Sequence, residues 1–219
     1  MKKNLLVAAA GMFCLAVGAR NANAATFDFA AIATGNEHGA VSESFTNGGV
    51  TTTASGRNLA NTTPYFMYLD EPAGGPGGLG VCKDLGAGEC TPGNDDNYGL
   101  NEVLELTFDV PVEITEIEFS NGNHEDVYTG NMGIAVNSTP TSVADFGQYL
   151  TAAVFNLPLV GTKFSFISNS VISGIADDNT RVLYISKLTV TPTSVPEPAT
   201  LGLLSIGALG GLFGRRKRA

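Results

Sequence analysis

The chain has 219 residues, two histidines (His38 and His124) and no tryptophan. His124 lies in SNGNHEDVYTG beside Glu125 and Asp126. A carboxylate that orients an imidazole is the usual arrangement for a general base. Neighbours within one loop rarely face each other in that way, and zinc would need further ligands that the sequence does not gather. His38, in TGNEHGA, reads as a turn residue, and so does His124. No nucleophile-elbow motif occurs. Glu105, Glu113, Glu116 and Glu118 fall on β-prone sequence, where Glu105 and Glu118 could neighbour each other across a hairpin. A retaining glycosidase needs two carboxyls about 5–5.5 Å apart in a cleft lined by sugar-stacking aromatics. Glu105 alternates with Leu104 and Leu106, so a solvated sheet face is expected for these glutamates. No residue is assigned a catalytic role.

Hard oxygen donors concentrate in NDDNYGLNE. Asp95, Asp96, Asn97, Asn101 and Glu102 are candidate ligands for a structural calcium ion, which takes 6–8 oxygens. The closing glutamate comes too early for an EF-hand, and a solvated turn explains the stretch as well. ADDN (residues 176–179) reads more simply as a turn before the last strand. These donors sit in a long insert, Glu71–Leu100, that has no regular pattern and is rich in glycine. Its glycines are not followed by Lys-Ser/Thr, which excludes a phosphate-cradling loop. Cys82 and Cys90 lie inside it and are expected to form a disulfide, because they are the two cysteines left once the first 24 residues are removed.

The elements that would position these residues are strands. SESFTNGGVTTTAS reads as a hairpin turning at Asn47-Gly48. VLELTFDVPVEITEIEFS alternates clearly, then slips by one, which predicts a bulge near Thr115-Glu116. TFDFAAI (26–32), PYFMYLD (64–70), MGIAV (132–136), KFSFIS (163–168) and RVLYISKLTVT (181–191) are further strand candidates. Only Ser142–Phe155 invites a short helix. Many short strands without a βαβ rhythm mean a sandwich or a closed barrel, and a jelly-roll-like antiparallel β-sandwich over residues 25–192 is expected.

All 21 Asp and Glu lie between Asp28 and Glu197, against five cations in that interval. Such a balance disfavours nucleic acid and anionic membrane surfaces and favours solubility and cation binding. The ends are different. Lys2 and Lys3, the apolar run Leu5–Val17, and small residues at Ala22 and Ala24 read as a secretory signal peptide over residues 1–24, cut after Ala24 by signal peptidase. Cys14 follows Met12-Phe13, which does not suit lipidation.

At the other end, Val195-Pro196-Glu197-Pro198-Ala199 precedes an uncharged stretch, Thr200–Gly214, and four cations, Arg215, Arg216, Lys217 and Arg218. The 16 uncharged residues from Ala199 to Gly214 span about 24 Å as a helix, short of a hydrocarbon core of roughly 30 Å. The cations would stay on the cytoplasmic side. A permanent anchor would be longer and poorer in glycine.

This three-part arrangement over residues 193–219 resembles the PEP-CTERM sorting signal of Gram-negative bacteria. The resemblance implies transient anchoring in the inner membrane and processing near the Pro-Glu-Pro by an exosortase-like transpeptidase. It also implies delivery to the cell surface or an exopolysaccharide matrix. YLD…GGPGGLGVC followed by NEVLELTFDVPVEITEIEF resembles cargo domains attached to such tails, which implies a fold class and nothing more. The function expected is an exported, non-enzymatic surface or matrix protein with adhesive or glycan contacts through Tyr65, Tyr68, Tyr98 and Tyr128. An exported hydrolase acting on matrix glycans is the competing expectation. Thr-x-Thr occurs in VTTTAS and KLTVTPTS, but not as a repeated array.

Overall fold

The computed structural model describes residues 23–71, 77–91, 101–124, 131–146, 148–151, 159–168 and 183–193. Its strands are β1 (Ala25–Asp28), β2 (His38–Ala40), β3 (Ser42–Asn47), β4 (Val50–Asn58), β5 (Pro64–Asp70), β6 (Gly78–Cys82), β7 (Leu85–Gly86), β8 (Glu89–Cys90), β9 (Glu102–Asn121), β10 (Asn131–Val136), β11 (Gln148–Thr151), β12 (Leu159–Ile167) and β13 (Leu183–Pro192). One helical turn, α1 (Phe29–Ala33), and a 3₁₀ turn at Val143–Asp145 complete the described elements. The protein is all-β, as the alternation predicts.

Of the two all-β arrangements compatible with the sequence, the pairings trace a closed cycle, β9–β4–β5–β6–β13 and back to β9. An odd number of straight, mutually antiparallel strands cannot close. β9 resolves this by bending. Its first part, Glu102–Phe108, pairs with β4, and its second, Val112–Asn121, pairs with β13. At the bend the register against β12 jumps from Gly161↔Val112 to Lys163↔Thr107. Residues 108–111 therefore stand opposite Thr162 alone. Pro111, which has no N–H to contribute to a ladder, sits in that irregularity. The bulge expected near Thr115 is also present: the β13 register passes from Thr189↔Glu116 to Val190↔Ile114, leaving Thr115 extra.

The barrel interior is filled by inward residues from each strand, among them Ala54, Met67, Leu69, Leu79, Val81, Leu104, Leu106, Ile114, Ile185 and Leu188. A second, smaller core forms on the outer face of β9, where Val103 packs with Leu59, Ala135, Phe146 and Ile167. That face is covered, and this changes the meaning of the alternation in β9.

Four local expectations are corrected. The strand expected over residues 26–32 stops at Asp28, whose carboxylate accepts from the Ala31 N–H at 2.9 Å and caps α1. The β3–β4 turn uses Gly48-Gly49, both at positive φ, with Asn47 still paired to Val50. The short helix expected from Ser142 is one 3₁₀ turn followed by β11. Finally, the supposedly patternless insert supplies β6, a buried barrel strand paired with β5 and β13.

Close approach explains why β6 and its surroundings are glycine-rich. At Gly56 on β4 an added Cβ would stand 2.8 Å from the Phe66 carbonyl oxygen and from Val81 Cγ1. The Cys82–Cys90 disulfide forms as expected and ties β6 to the small β7–β8 hairpin. Replacing both cysteines by serine is expected to cost about 2–3 kcal/mol in chemical denaturation, the value for a loop of this length.

Candidate functional site

Polar side chains gather in three places. The first is the outer face of β4, β9 and β12. Glu105 Oε1 accepts from Arg57 Nε at 2.9 Å, from Lys163 Nζ at 3.1 Å and from Ser165 Oγ at 3.1 Å. The Glu105 side chain is 11% exposed and that of Arg57 7%. Burial works against ionising Glu105, but the hydrogen bonds and charges of Arg57 and Lys163 outweigh it and hold its pKa below the usual carboxylate value. The solvated position expected for Glu105 is thus corrected: the second core covers this part of the sheet. Among the described residues Arg57 Nη2 has no hydrogen-bond partner.

Glu105 is not near Glu118. Both lie on β9, where Glu105 is opposite Ser55 and Ser165 while Glu118 is opposite Lys187 and bonded to it. Glu116 accepts from Thr189 Oγ1 at 3.2 Å, and Glu113 is opposite Thr191 and Val160. Glu116 and Glu118 are solvent-exposed, as expected. Glu105 and Glu118 therefore do not form the carboxylate pair that a retaining glycosidase needs.

Beside Glu105 the same face carries rows of hydroxyls. Ser44, Thr53, Thr107 and Lys163 are successive cross-strand partners on β3, β4, β9 and β12. Ser44 bonds Thr53 at 2.8 Å and Thr46 bonds Thr51 at 3.0 Å. The sequence could not show this array, because its members come from strands far apart in the chain.

The second place is around His38. Its Nδ1 lies 2.8 Å from the Asn36 carbonyl oxygen and its Nε2 lies 2.7 Å from Glu43 Oε2. Both nitrogens therefore face acceptors, which suits the doubly protonated ring. Partial burial opposes the charge, but the Asn36 and Glu43 contacts prevail and raise the pKa above 6.5. A raised value means that the pair stabilises the fold fully below the unfolded-state pKa and less as pH climbs through the folded one. Glu43→Gln should lower the His38 pKa in an NMR titration. Its stability deficit should be present at mildly acidic pH and shrink above neutrality.

The third place is where β5, β9 and β13 meet at one end of the barrel. His124, at φ 61, puts Nδ1 3.3 Å from Asp70 Oδ2 and stacks on Tyr184 with ring centroids 5.5 Å apart. The sequence predicts a turn residue for His124, with Glu125 and Asp126 as its neighbours; those two lie outside the described residues, and His124 itself is half-buried. The carboxylate that faces it comes from Asp70, more than fifty positions away, and no local signal could have pointed to it.

Of the five candidate calcium ligands, only Asn101 and Glu102 are among the described residues. Asp95, Asp96 and Asn97 lie outside the described residues. Asn101 is exposed and its carbonyl accepts from the Leu59 N–H at 2.7 Å, while Glu102 is buried as the first residue of β9, opposite Asn58. Among the described residues no group of three or more His, Cys, Asp or Glu could hold a metal ion. Of the sugar-stacking candidates, Tyr68 is buried and donates to Glu37 at 2.7 Å, and Tyr65 accepts from Asn58 Nδ2 at 2.9 Å. Tyr98 and Tyr128 lie outside the described residues.

The ends are read from where the fold stops. β13 finishes at Pro192, and Thr193 is tied to Pro111, its N–H donating to the Pro111 carbonyl at 2.9 Å. The signal-peptide residues up to Ala22, and Val195–Arg218, lie outside the described residues. Ala24 is exposed and Ala25 is buried. Among the described residues no helix is long and apolar enough to cross a membrane.

Residues 194–218 match the PEP-CTERM protein-sorting motif. The chain therefore carries a PEP-CTERM sorting motif at residues 194–218, a signal that supports export and exosortase-type processing at the membrane. No curated protein and no solved structure matches it.

Proposed function

We propose that the chain is a non-enzymatic surface or matrix protein whose barrel is the cargo and whose two ends are transport devices. Signal peptidase removes residues 1–24, and an exosortase-like transpeptidase acts near Pro196–Pro198. The barrel is left at the cell surface or in an exopolysaccharide matrix. The observation that carries this reading is the sorting motif at residues 194–218, directly after the last barrel strand.

A passive role is supported by how the ionisable groups are used. Glu105 is saturated by three donors and His38 is held by Glu43, so both are committed to the fold. Contact with polysaccharide is supported by the hydroxyl rows rather than by the tyrosines first considered. The competing reading, an exported hydrolase, rests on the Asp70–His124 pair.

The test is expression of the full chain in a host with an exosortase, followed by fractionation and intact-mass measurement. Loss of residues 1–24 and of the tail from extracellular material is expected. Deleting Arg215–Arg218 should change both fractionation and mass; no change would overturn the reading. A glycan array probed with the processed protein, with and without a calcium chelator, then separates ligand binding from a purely structural role. Turnover of a matrix glycan that is abolished by His124→Gln would favour the hydrolase.

A further inference from the structure

The two ends of the folded domain leave it at one place. Ala25 on β1 is the antiparallel partner of Val190 on β13, two residues before Pro192. The Asn47 side chain donates to the Thr26 carbonyl at 2.6 Å, so the β3–β4 turn lies there too. The Thr51 N–H donates to Asp109 Oδ1 at 2.9 Å, which brings in the β9 bend. The same bend holds Thr193 through two hydrogen bonds to the Pro111 carbonyl, at 2.9 Å from its N–H and 3.2 Å from its hydroxyl.

Thr193 is therefore fixed to the barrel, and the sorting motif starts at the next residue. Five residues, Ser194–Pro198, separate Thr193 from Ala199, where the uncharged stretch begins, so the extended chain reaches only about 20 Å. With the tail in a bilayer, the barrel is held within about 20 Å of the membrane surface, and the end that carries Pro111 is the one tethered nearest to it.

That end also exposes apolar surface: of the three exposed large hydrophobic residues among those described, Val110 (36%) and Val160 (42%) lie there, while Val41 (62%), next to Ser42 opposite Ser55, lies toward the other end of β4. Val110 adjoins Pro111, and Val160 is opposite Glu113 on the same bent strand. Asp109 and Glu113 flank these valines, so the contact expected is with a zwitterionic rather than an anionic lipid surface.

Resting on the reading of the tail as a membrane-inserted sorting segment, we propose that the barrel end formed by Val110–Pro111, Val160 and Pro192–Thr193 lies against the lipid headgroup surface until the tail is processed. The valines sit at the headgroup boundary and the opposite end, with the β4–β5 turn around Asn61, points away. β4 alone separates that turn from the tail end by about 26 Å. An exosortase-type enzyme would then meet its Pro-Glu-Pro site in the narrow gap between barrel and bilayer.

The test uses the chain as signal peptidase leaves it, Ala25–Ala219, with the Cys82–Cys90 disulfide intact, reconstituted in phosphatidylcholine vesicles that contain headgroup-nitroxide lipid. An environment-sensitive fluorophore is placed at one position at a time through Val110→Cys, Val160→Cys, Asn61→Cys or Leu203→Cys. Circular dichroism and melting confirm that each variant folds. Labels at positions 110 and 160 should lose most of their fluorescence, while the label at 61 should keep it. Insertion of a long Gly-Ser spacer after Thr193 should weaken the quenching at 110 and 160 without changing that at 203. Quenching at 203 with none at 110 and 160 would overturn this inference and leave the sorting reading standing. A label at 203 that stays in water would overturn both.

Discussion

Glu105→Ala is expected to destabilise the protein by about 3–5 kcal/mol, the cost of leaving buried cations without their carboxylate. Arg57 is the residue that suffers most, since its Nε loses a 2.9 Å acceptor while its Nη2 already has none among the described residues. Lys163 can turn toward water because its side chain is 26% exposed. Glu105→Gln should cost less, because its carbonyl still accepts. Replacing the pair together, Arg57→Met with Glu105→Leu, should recover much of the loss, since apolar replacement of a whole buried pair is often close to neutral. The measurement is urea denaturation of these variants, the wild type and the single Arg57→Met and Glu105→Leu proteins, with the coupling read from the double-mutant cycle that the last two complete. A loss for Glu105→Ala below 1 kcal/mol (roughly that of an exposed ion pair) would show that the cluster is solvated.

The same cluster has a pH signature. The Glu105 pKa is held below 4.5 in the folded protein. A depressed value gives stability that is complete above the unfolded-state pKa and disappears as pH falls through the folded one. The stability of the wild-type protein should therefore fall below about pH 4.5 more steeply than that of the paired Met/Leu variant.

Glu105 also shows where sequence reasoning stops. Alternation in LELTF establishes that Glu105 and Leu104 point to opposite sides of β9, and they do. It does not say what lies on the second side. That side is covered by Phe146, Ala135 and Ile167, which come from later elements, so a residue that alternates like a surface glutamate is buried. Strands with strong local patterns, such as Pro64–Asp70 and the slip at Thr115, were legible because pleat and bulge are local properties. The barrel was not, since closure depends on β9 serving two neighbours around a bend. β6 was hidden for another reason: GLGVC has the glycine content of a loop, and its glycines meet a need for close approach that only the neighbouring strands create. The functional label was legible because a sorting signal is linear. Residues 194–218 carry it in their order along the chain, whereas the Asp70–His124 pair and the hydroxyl rows exist only after folding.

Phe164→Ala should be the largest core effect, about 3–5 kcal/mol. Phe164 is fully buried and sits on β12, opposite Leu106 on β9. Its ring meets Phe108 edge to face at 5.8 Å, Phe108 meets Phe27 at 6.2 Å, and Phe27 stacks near Phe29, which in turn meets Phe45. This chain of rings links β12, the β9 bend, β1, α1 and β3, so a cavity at Phe164 loosens the elements that hold the tail end together. Truncation removes the transfer free energy of a phenyl group and leaves a void that is hard to fill by collapse, because β12 and its neighbour β9 are both fixed by ladders on both edges. Phe164→Leu should cost markedly less, because it keeps much of the volume. If the void loosens the end to which Thr193 is tied, hydrogen exchange in Phe164→Ala should quicken first at the Thr193 N–H and along β1, and later along β5 and β6. Uniform acceleration across all strands would show instead that the barrel opens as one unit.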